Sequence, residues 1–354
     1  MSAPAAPRKA VAAEGYQALW SHNKDTGDVF KQTSDDIKEE RKAAAPVMTN
    51  YYYDLATDLY EYGWGTSFHF ARMFTGSSFA SNIARHEDYL ALKLGLKPGM
   101  RVLDVGCGVG GPLREIAKFS GATVVGLNNN QYQVERCKMY NKKFGLEAIT
   151  DVVKGNFLEI PFPDNTFDAI YSIEATCHAP HPSQVYGEIF RVLKPGGKYA
   201  CYEWCTTAKY DENDREQRLA IHQIEEGDSI PHLYRTYESL AAVRSVGFDV
   251  IEEYDLADPE FNKPWGAQTP WYGPLAGIMA NYSVDEFLRY FRSSKIGGTI
   301  TDVFVSVMEF VGLAPKGTKA ASQTLITASE GLVYSGKKET FTPMYFFLGK
   351  KPEA

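Results

Sequence analysis

Apolar and polar positions divide the chain into three regimes. Up to about residue 46 the sequence is polar, charged and alanine-rich, and it predicts a flexible start followed by one or two exposed helices through Lys31 to Lys42. Between Thr49 and Phe79 aromatic residues crowd together, among them the run YEYGWGTSFHF from Tyr60. Such density suits a core face, a lid or the wall of an apolar pocket. Glu61 and His69 lie among the aromatics, and Gly63 and Gly65 interrupt any helix there.

Beyond residue 100, short apolar runs alternate with longer stretches of helical spacing. The runs predict strands over Arg101–Asp104, Ala122–Leu127, Asp151–Lys154, Phe167–Ile173, Lys198–Trp204 and Phe248–Tyr254. A last strand, Phe341–Leu348, follows an insert from Asp255 to Glu339. Helices are expected at His86–Leu94, from the glycines after Asp104 to Phe119, and at Gln131–Phe144, Gln184–Leu193, Asp211–Glu226 and Tyr237–Val246. Lys194-Pro195-Gly196-Gly197 reads as a helix stop. Strands alternating with helices imply an α/β fold whose parallel sheet carries helices on both faces.

Composition adds mainly exclusions. With 354 residues, 44% of them hydrophobic, the chain can bury a sizeable core. A formal net charge of −7 without a basic run argues against nucleic acid as a partner. The five cysteines show no paired metal-ligand spacing, so no metal is expected and they read as reduced thiols. The beginning, MSAPAAPRKAVAAEG, has no signal-like apolar core, and no run reaches the roughly 18 apolar residues of a membrane span.

The chemistry concentrates in RVLDVGCGVGGPL from Arg101. A glycine-rich turn between a strand and a helix lets the backbone approach a nucleotide-like ligand. A nicotinamide site usually carries an acidic residue about 20 positions on, for the ribose hydroxyls. Here Asn128-Asn129-Asn130 stands in that place. S-Adenosylmethionine fits better. Asp104 is suited to the ligand's ammonium, Gly106, Gly108 and Gly110 to close approach of the backbone, Asn128 and Gln133 to its ribose, and Asn156 with Phe157 to its adenine. Glu174 and His178 follow the fourth strand, where ligands bind in open α/β sheets, and lie one helical turn apart. His181, before Pro182, reads as structural.

With YEYGWGTSFHF, LDVGCGVGGPLRE, GLNNNQYQ, IEATCHAP, YEWCTTAKYDEN and FTPMYFFLGKKP in view, the chain resembles the sterol C24-methyltransferase family over roughly Thr49 to Pro352. Cys205 and Ala208 depart from its pattern, and the polar beginning lacks the membrane anchor of plant-type members. The resemblance implies a class I S-adenosylmethionine methyltransferase sheet, Rossmann-like, of order 3-2-1-4-5-7-6, with an N-terminal helical cap and a helical insert before the last strand. It divides the chain into a polar segment 1–47, a methyltransferase core 48–254 and a C-terminal region 255–354.

It also implies methyl transfer from S-adenosylmethionine to C24 of a Δ24-sterol through a carbocation. The family alternative is another apolar isoprenoid acceptor: a triterpene, tocopherol or quinone. A silent lipid-binding module is the non-enzymatic alternative. Glu174, His178, Tyr60, Glu61 and His69 are the expected catalytic group, and Tyr62, Trp64 and Phe68 the expected substrate contacts. Expected partners are a sterol, a membrane surface met peripherally at the cytoplasmic face of the endoplasmic reticulum or at lipid droplets, and further copies of the chain. Within the insert, KPWGAQTPWYGPLAG suits a pocket wall or membrane interface, whereas ITDVFVSVMEFVGLAP is expected to be buried in a core or subunit contact.

Overall fold

The computed structural model describes residues 12–13, 15–16, 20, 28–284, 287–288, 291, 295–314 and 317–353. Most of the expected flexible start lies outside them.

Seven strands form one sheet: β1 Arg101–Val105, β2 Thr123–Asn128, β3 Thr150–Lys154, β4 Phe167–Ile173, β5 Leu193–Thr206, β6 Asp249–Asp255 and β7 Phe341–Lys350. Their order is β3-β2-β1-β4-β5-β7-β6. The first five pair in parallel, and β7 enters antiparallel between β5 and β6. The order is the expected one. β1 is buried at Val102, Leu103, Asp104 and Val105, as a central parallel strand must be.

One strand starts earlier than its turn residues suggest. The helix before β5 ends at Val192, and the stop sequence continues in extended form inside β5. Across Phe167 and Ala169 the partner register jumps from Leu193 to Lys198, so Pro195 and the two glycines are accommodated as a bulge.

The main helices are α1 Asp35–Gly63, α2 Phe79–Leu94, α3 Gly111–Ser120, α4 Gln131–Lys143, α5 Pro182–Val192, α6 Arg215–Asp228, α7 Thr236–Ser245, α8 Lys295–Phe310 and α9 Thr318–Lys338. α1 runs unbroken through residue 47, with Pro46 inside it, so the boundary placed there matches no break in secondary structure. It buries Met48, Tyr52, Leu55 and Ala56 and stops at Gly63, where the glycines interrupt it. Below it, apolar clusters fill both faces of the sheet.

Within the insert, Trp271 is buried against Phe70, with ring centroids 5.0 Å apart, whereas Trp265 is half exposed. The stretch from Ile300 is not buried in a core of this chain. Ile300, Val303, Phe304, Val307, Phe310 and Val311 are exposed, Phe310 by 91%. The opposite face of α8, at Gly298 and Thr301, borders a groove described below. Among the described residues no helix is long and apolar enough to cross a membrane.

Candidate active site

Two cavities meet above the carboxyl ends of the central strands. The first, about 800 Å³ with its open mouth included, is lined by Asp104, Gly106, Gly108, Asn128, Gln133, Phe157, Glu174 and His178, together with Thr66, Phe68 and His69. The second is a groove of about 1170 Å³ lined by Tyr60, Tyr62, Trp64, Phe68, His69, Phe70, Glu174, Trp204 and Asp228, closed on its far side by α8 and α9. Phe68, His69 and Glu174 line both.

The first cavity is built by the glycine loop. Gly106 has φ +81, and a Cβ there would lie 2.4 Å from Cβ of Ala175, so the loop and the turn after β4 are fitted to each other. The aromatic segment lies directly over the loop: the Gly111 N–H donates to the Thr66 carbonyl at 3.1 Å. Asp104 stands in register with Tyr171 of β4, whose hydroxyl donates to Oδ2 at 3.0 Å. Burial pushes the Asp104 carboxyl up to about 8 despite that hydrogen bond. Asn130 caps α4 by accepting from the Gln133 N–H, and Asn128 Nδ2 donates to Gln133 Oε1 at 2.8 Å. A buried carboxylate at one end, amides in the middle and an aromatic ring at the other match the ammonium, ribose and adenine of S-adenosylmethionine.

Glu174 sits at the junction with φ +52, a left-handed conformation that costs a glutamate about 1–3 kcal/mol. Its Oε1 accepts from the Phe70 N–H at 2.8 Å and its Oε2 from Trp204 Nε1 at 2.7 Å. Burial pushes the carboxyl up to about 8, and nearby His69 opposes the rise. His69 donates through Nδ1 to the Phe70 carbonyl at 2.7 Å and through Nε2 to Glu87 at 2.9 Å. Burial works against its charge, but Glu87 outweighs that and holds the imidazole above its ordinary range.

His178 reaches the same cavity as Glu174, on a 3₁₀ turn at Thr176–His178 rather than an α-helical one. Its Nδ1 donates to the Ser229 carbonyl at 3.1 Å, and Nε2 accepts from the Tyr53 hydroxyl at 3.0 Å. Burial lowers its pKa to about 4. The ring is therefore neutral, with both nitrogens engaged.

In the groove, Tyr60 stacks on Phe68 with centroids 5.1 Å apart. Trp64 donates through Nε1 to the His69 carbonyl at 2.9 Å. Tyr62 is 59% exposed and stands at the rim.

Three expected residues lie elsewhere. Glu61 is paired with Arg136 and accepts from Tyr140, both at 2.6 Å, on the side of α1 that faces α4. Successive helical residues are about 100° apart, so Tyr60 facing the groove turns Glu61 away from it. Asn156 Oδ1 accepts from the Leu158 N–H at 3.0 Å and closes its own turn, while Gly155 and Phe157 line the cavity. Gly110, φ +79, caps α3 and faces α4: a Cβ there would lie 2.4 Å from Cys137 Sγ. Gly110→Ala is accordingly expected to lower stability by about 2–4 kcal/mol, read as a fall in urea midpoint at unchanged m.

Asp228, Tyr53 and Trp204 belong to the site without having been singled out. Asp228 lies two residues beyond the expected end of its helix, and Trp204 is part of the YEW run but reads as a strand end.

Comparisons with known proteins bear on the family and the fold. Residues 103–201 match the family described as methyltransferase domain, and residues 288–353 the family described as sterol methyltransferase C-terminal. A cycloartenol-C-24-methyltransferase 1 of Oryza sativa subsp. japonica is 51% identical over 315 residues, covering 89% of this chain and 88% of that protein. A sterol 24-C-methyltransferase of Saccharomyces cerevisiae is 48% identical over 323 residues, covering 91% and 83%. Among solved structures, the [4+2]-cyclase SpnF shares the fold at TM-score 0.63 and 19% identity, over 87% of this chain and 97% of that one. A geranyl diphosphate methyltransferase in complex with GPP and sinefungin does so at TM-score 0.61 and 16% identity, over 87% and 99%.

Proposed function

The chain belongs to the sterol 24-C-methyltransferase family, and from that premise we propose how its two cavities divide the reaction. The first holds S-adenosylmethionine, and the groove holds the side chain of a Δ24-sterol. The observation that carries this assignment is their meeting at Phe68, His69 and Glu174, where an apolar acceptor and a polar cofactor come face to face.

S-Adenosylmethionine, when bound, supplies an electrophilic methyl group. Asp104 holds its ammonium, Asn128 and Gln133 its ribose, Phe157 its adenine, and the Gly106 and Gly108 backbone its main body. An alkene needs no base to attack, so the protein's tasks are alignment, exclusion of water and stabilisation of the cation left on the sterol. Tyr60, Phe68 and Trp64 offer ring faces, each worth about 0.5–2 kcal/mol to a desolvated cation. Glu174, fixed by two N–H donors, supplies the counter-charge at the junction once the positive charge of a bound cofactor draws its carboxyl into the ionised form. His178 and Tyr53 position α1 over the site, and His69 holds Phe70 and Glu87 in place.

Incubation with methyl-labelled S-adenosylmethionine and a panel of Δ24-sterols tests the assignment. Label is expected in the sterol. Label only in a quinone, tocopherol or triterpene would overturn it.

Peripheral attachment to a cytoplasmic lipid surface, such as the endoplasmic reticulum or a lipid droplet, is part of the same proposal. What supports it is α8, whose one face borders the groove while the other exposes Ile300, Val303, Phe304, Val307 and Phe310. Phe304→Asp with Val307→Asp is expected to weaken sedimentation with phospholipid vesicles at least tenfold while sparing activity on detergent-dispersed sterol. Unchanged sedimentation, with a concentration-dependent oligomer lost in the variant, would assign the face to a second copy of the chain instead.

A further inference from the structure

Asp228 is the last residue of α6 and is only 5% exposed. Its Oδ1 accepts from the hydroxyls of Tyr60 at 3.1 Å and Tyr52 at 3.3 Å, and the two hydroxyls are 2.7 Å apart. Its Oδ2 is buried and has no hydrogen-bond partner among the described residues. No Lys, Arg or His among them forms an ion pair with it; the nearby buried Arg41 is taken by Glu225 at 3.1 Å. A buried carboxylate with one bare oxygen and no counter-cation is costly in an isolated protein. It is placed in the groove with Tyr60, Phe68, Trp64 and Glu174.

The contrast with Glu174 is chemical. Both oxygens of Glu174 already accept N–H hydrogen bonds, so neither is left bare to face a C–H bond of the sterol. Asp228 keeps one oxygen uncommitted. The same tyrosine that gives its ring to the groove steadies the other oxygen of Asp228 through its hydroxyl.

We propose, building on the functional assignment above, that Asp228 Oδ2 is the base that ends the reaction by taking a proton from the transferred methyl group. Methyl addition at C24 leaves the cation on the neighbouring carbon; a hydride moves from C24 to that carbon, the cation then sits on C24 beside the new methyl, and one of the methyl's C–H bonds breaks. Its electron pair becomes the new carbon–carbon double bond and neutralises the cation. The proton goes to Oδ2, and the carboxylate becomes a neutral acid that returns its proton to water when product leaves. Burial pushes this carboxyl up to about 7, against the two tyrosine hydrogen bonds that lower it. It is thus basic enough to accept the proton and is not locked in the protonated form at neutral pH.

The test compares the native enzyme with Asp228→Asn and Asp228→Ala, using S-adenosylmethionine binding by calorimetry as the folding control. Asp228→Asn is expected to keep that binding and to lower the share of methylene product at least tenfold. Alcohol formed by water capture, or alkenes formed by loss of other protons, should replace it. A sterol with a tertiary amine in place of the cationic carbon should lose at least tenfold of its binding preference over its neutral isostere. Asp228→Ala should regain methylene product on addition of formate. Unchanged product ratios and unchanged amine preference in variants that bind cofactor would overturn the proposal. Native enzyme that methylates no sterol would instead overturn the functional assignment.

Discussion

Asp104→Ala is expected to abolish S-adenosylmethionine binding, with dissociation constants weakened by two orders of magnitude or more. Asp104 is buried at the end of β1, held by one tyrosine hydroxyl, and lines the first cavity. Truncating one member of a desolvated charge pair costs about 2–5 kcal/mol, because its partner is left buried and unpaired. Calorimetry on the variant checks it, and near-native affinity would remove Asp104 from the cofactor site. A pH dependence accompanies the prediction. Without ligand the carboxyl titrates at about 8, raised by burial, so at neutral pH it is mostly protonated. A bound ammonium favours the ionised form, so binding releases a proton. Native affinity should therefore rise with pH until about 8 and level off above it, and that slope should vanish in the variant.

Glu174→Gln is expected to leave cofactor affinity within about threefold and to lower kcat by roughly three orders of magnitude. The amide keeps the volume and can still accept through its carbonyl oxygen, but it removes the negative charge facing the cation. Its amide NH2 would also face an N–H donor where the carboxylate accepts two, from Phe70 and Trp204. Equal losses of cofactor affinity in both variants would show that Glu174 serves the cofactor cavity rather than the reacting sterol. Since Asp228 is argued to act after the methyl has moved, Glu174→Gln should slow turnover without redistributing products.

Local patterns explain why the sheet was readable. Of the strands before the insert, β1, β2, β4 and β5 are largely buried runs followed by turn residues and a helix, and such units place themselves next to their neighbours. The loop and the Glu174 turn were readable for the same reason, since ligands sit at the carboxyl ends of such strands. What escaped depends on distance along the chain or on direction around a helix. Asp228 reaches Tyr60 across 168 positions, and Trp204 reaches Glu174 across 30. Glu61 has neighbours of the right type in sequence but points at Arg136. Gly110 looks like a third ligand-facing glycine, yet a side chain there would strike Cys137. The exposed face of α8 has the spacing of a core helix, because apolar periodicity records a preference for leaving water and not what replaces it.

The place of β7 has a consequence for the order in which the molecule is made. Among the described residues β6 pairs with no strand but β7, and β7 also covers the edge of β5. On the ribosome the strands through β6 emerge first, and the 85 residues from Leu256 to Thr340 follow before β7 appears. At about 5–20 residues per second that interval lasts roughly 4–17 s. Throughout it the cofactor half, β1 to β4 with its glycine loop, has all its parts, while β5 presents a bare edge and β6 has nothing to pair with. A nascent chain stalled in the insert would thus carry an open, apolar sheet edge of the kind that recruits chaperones or neighbouring chains.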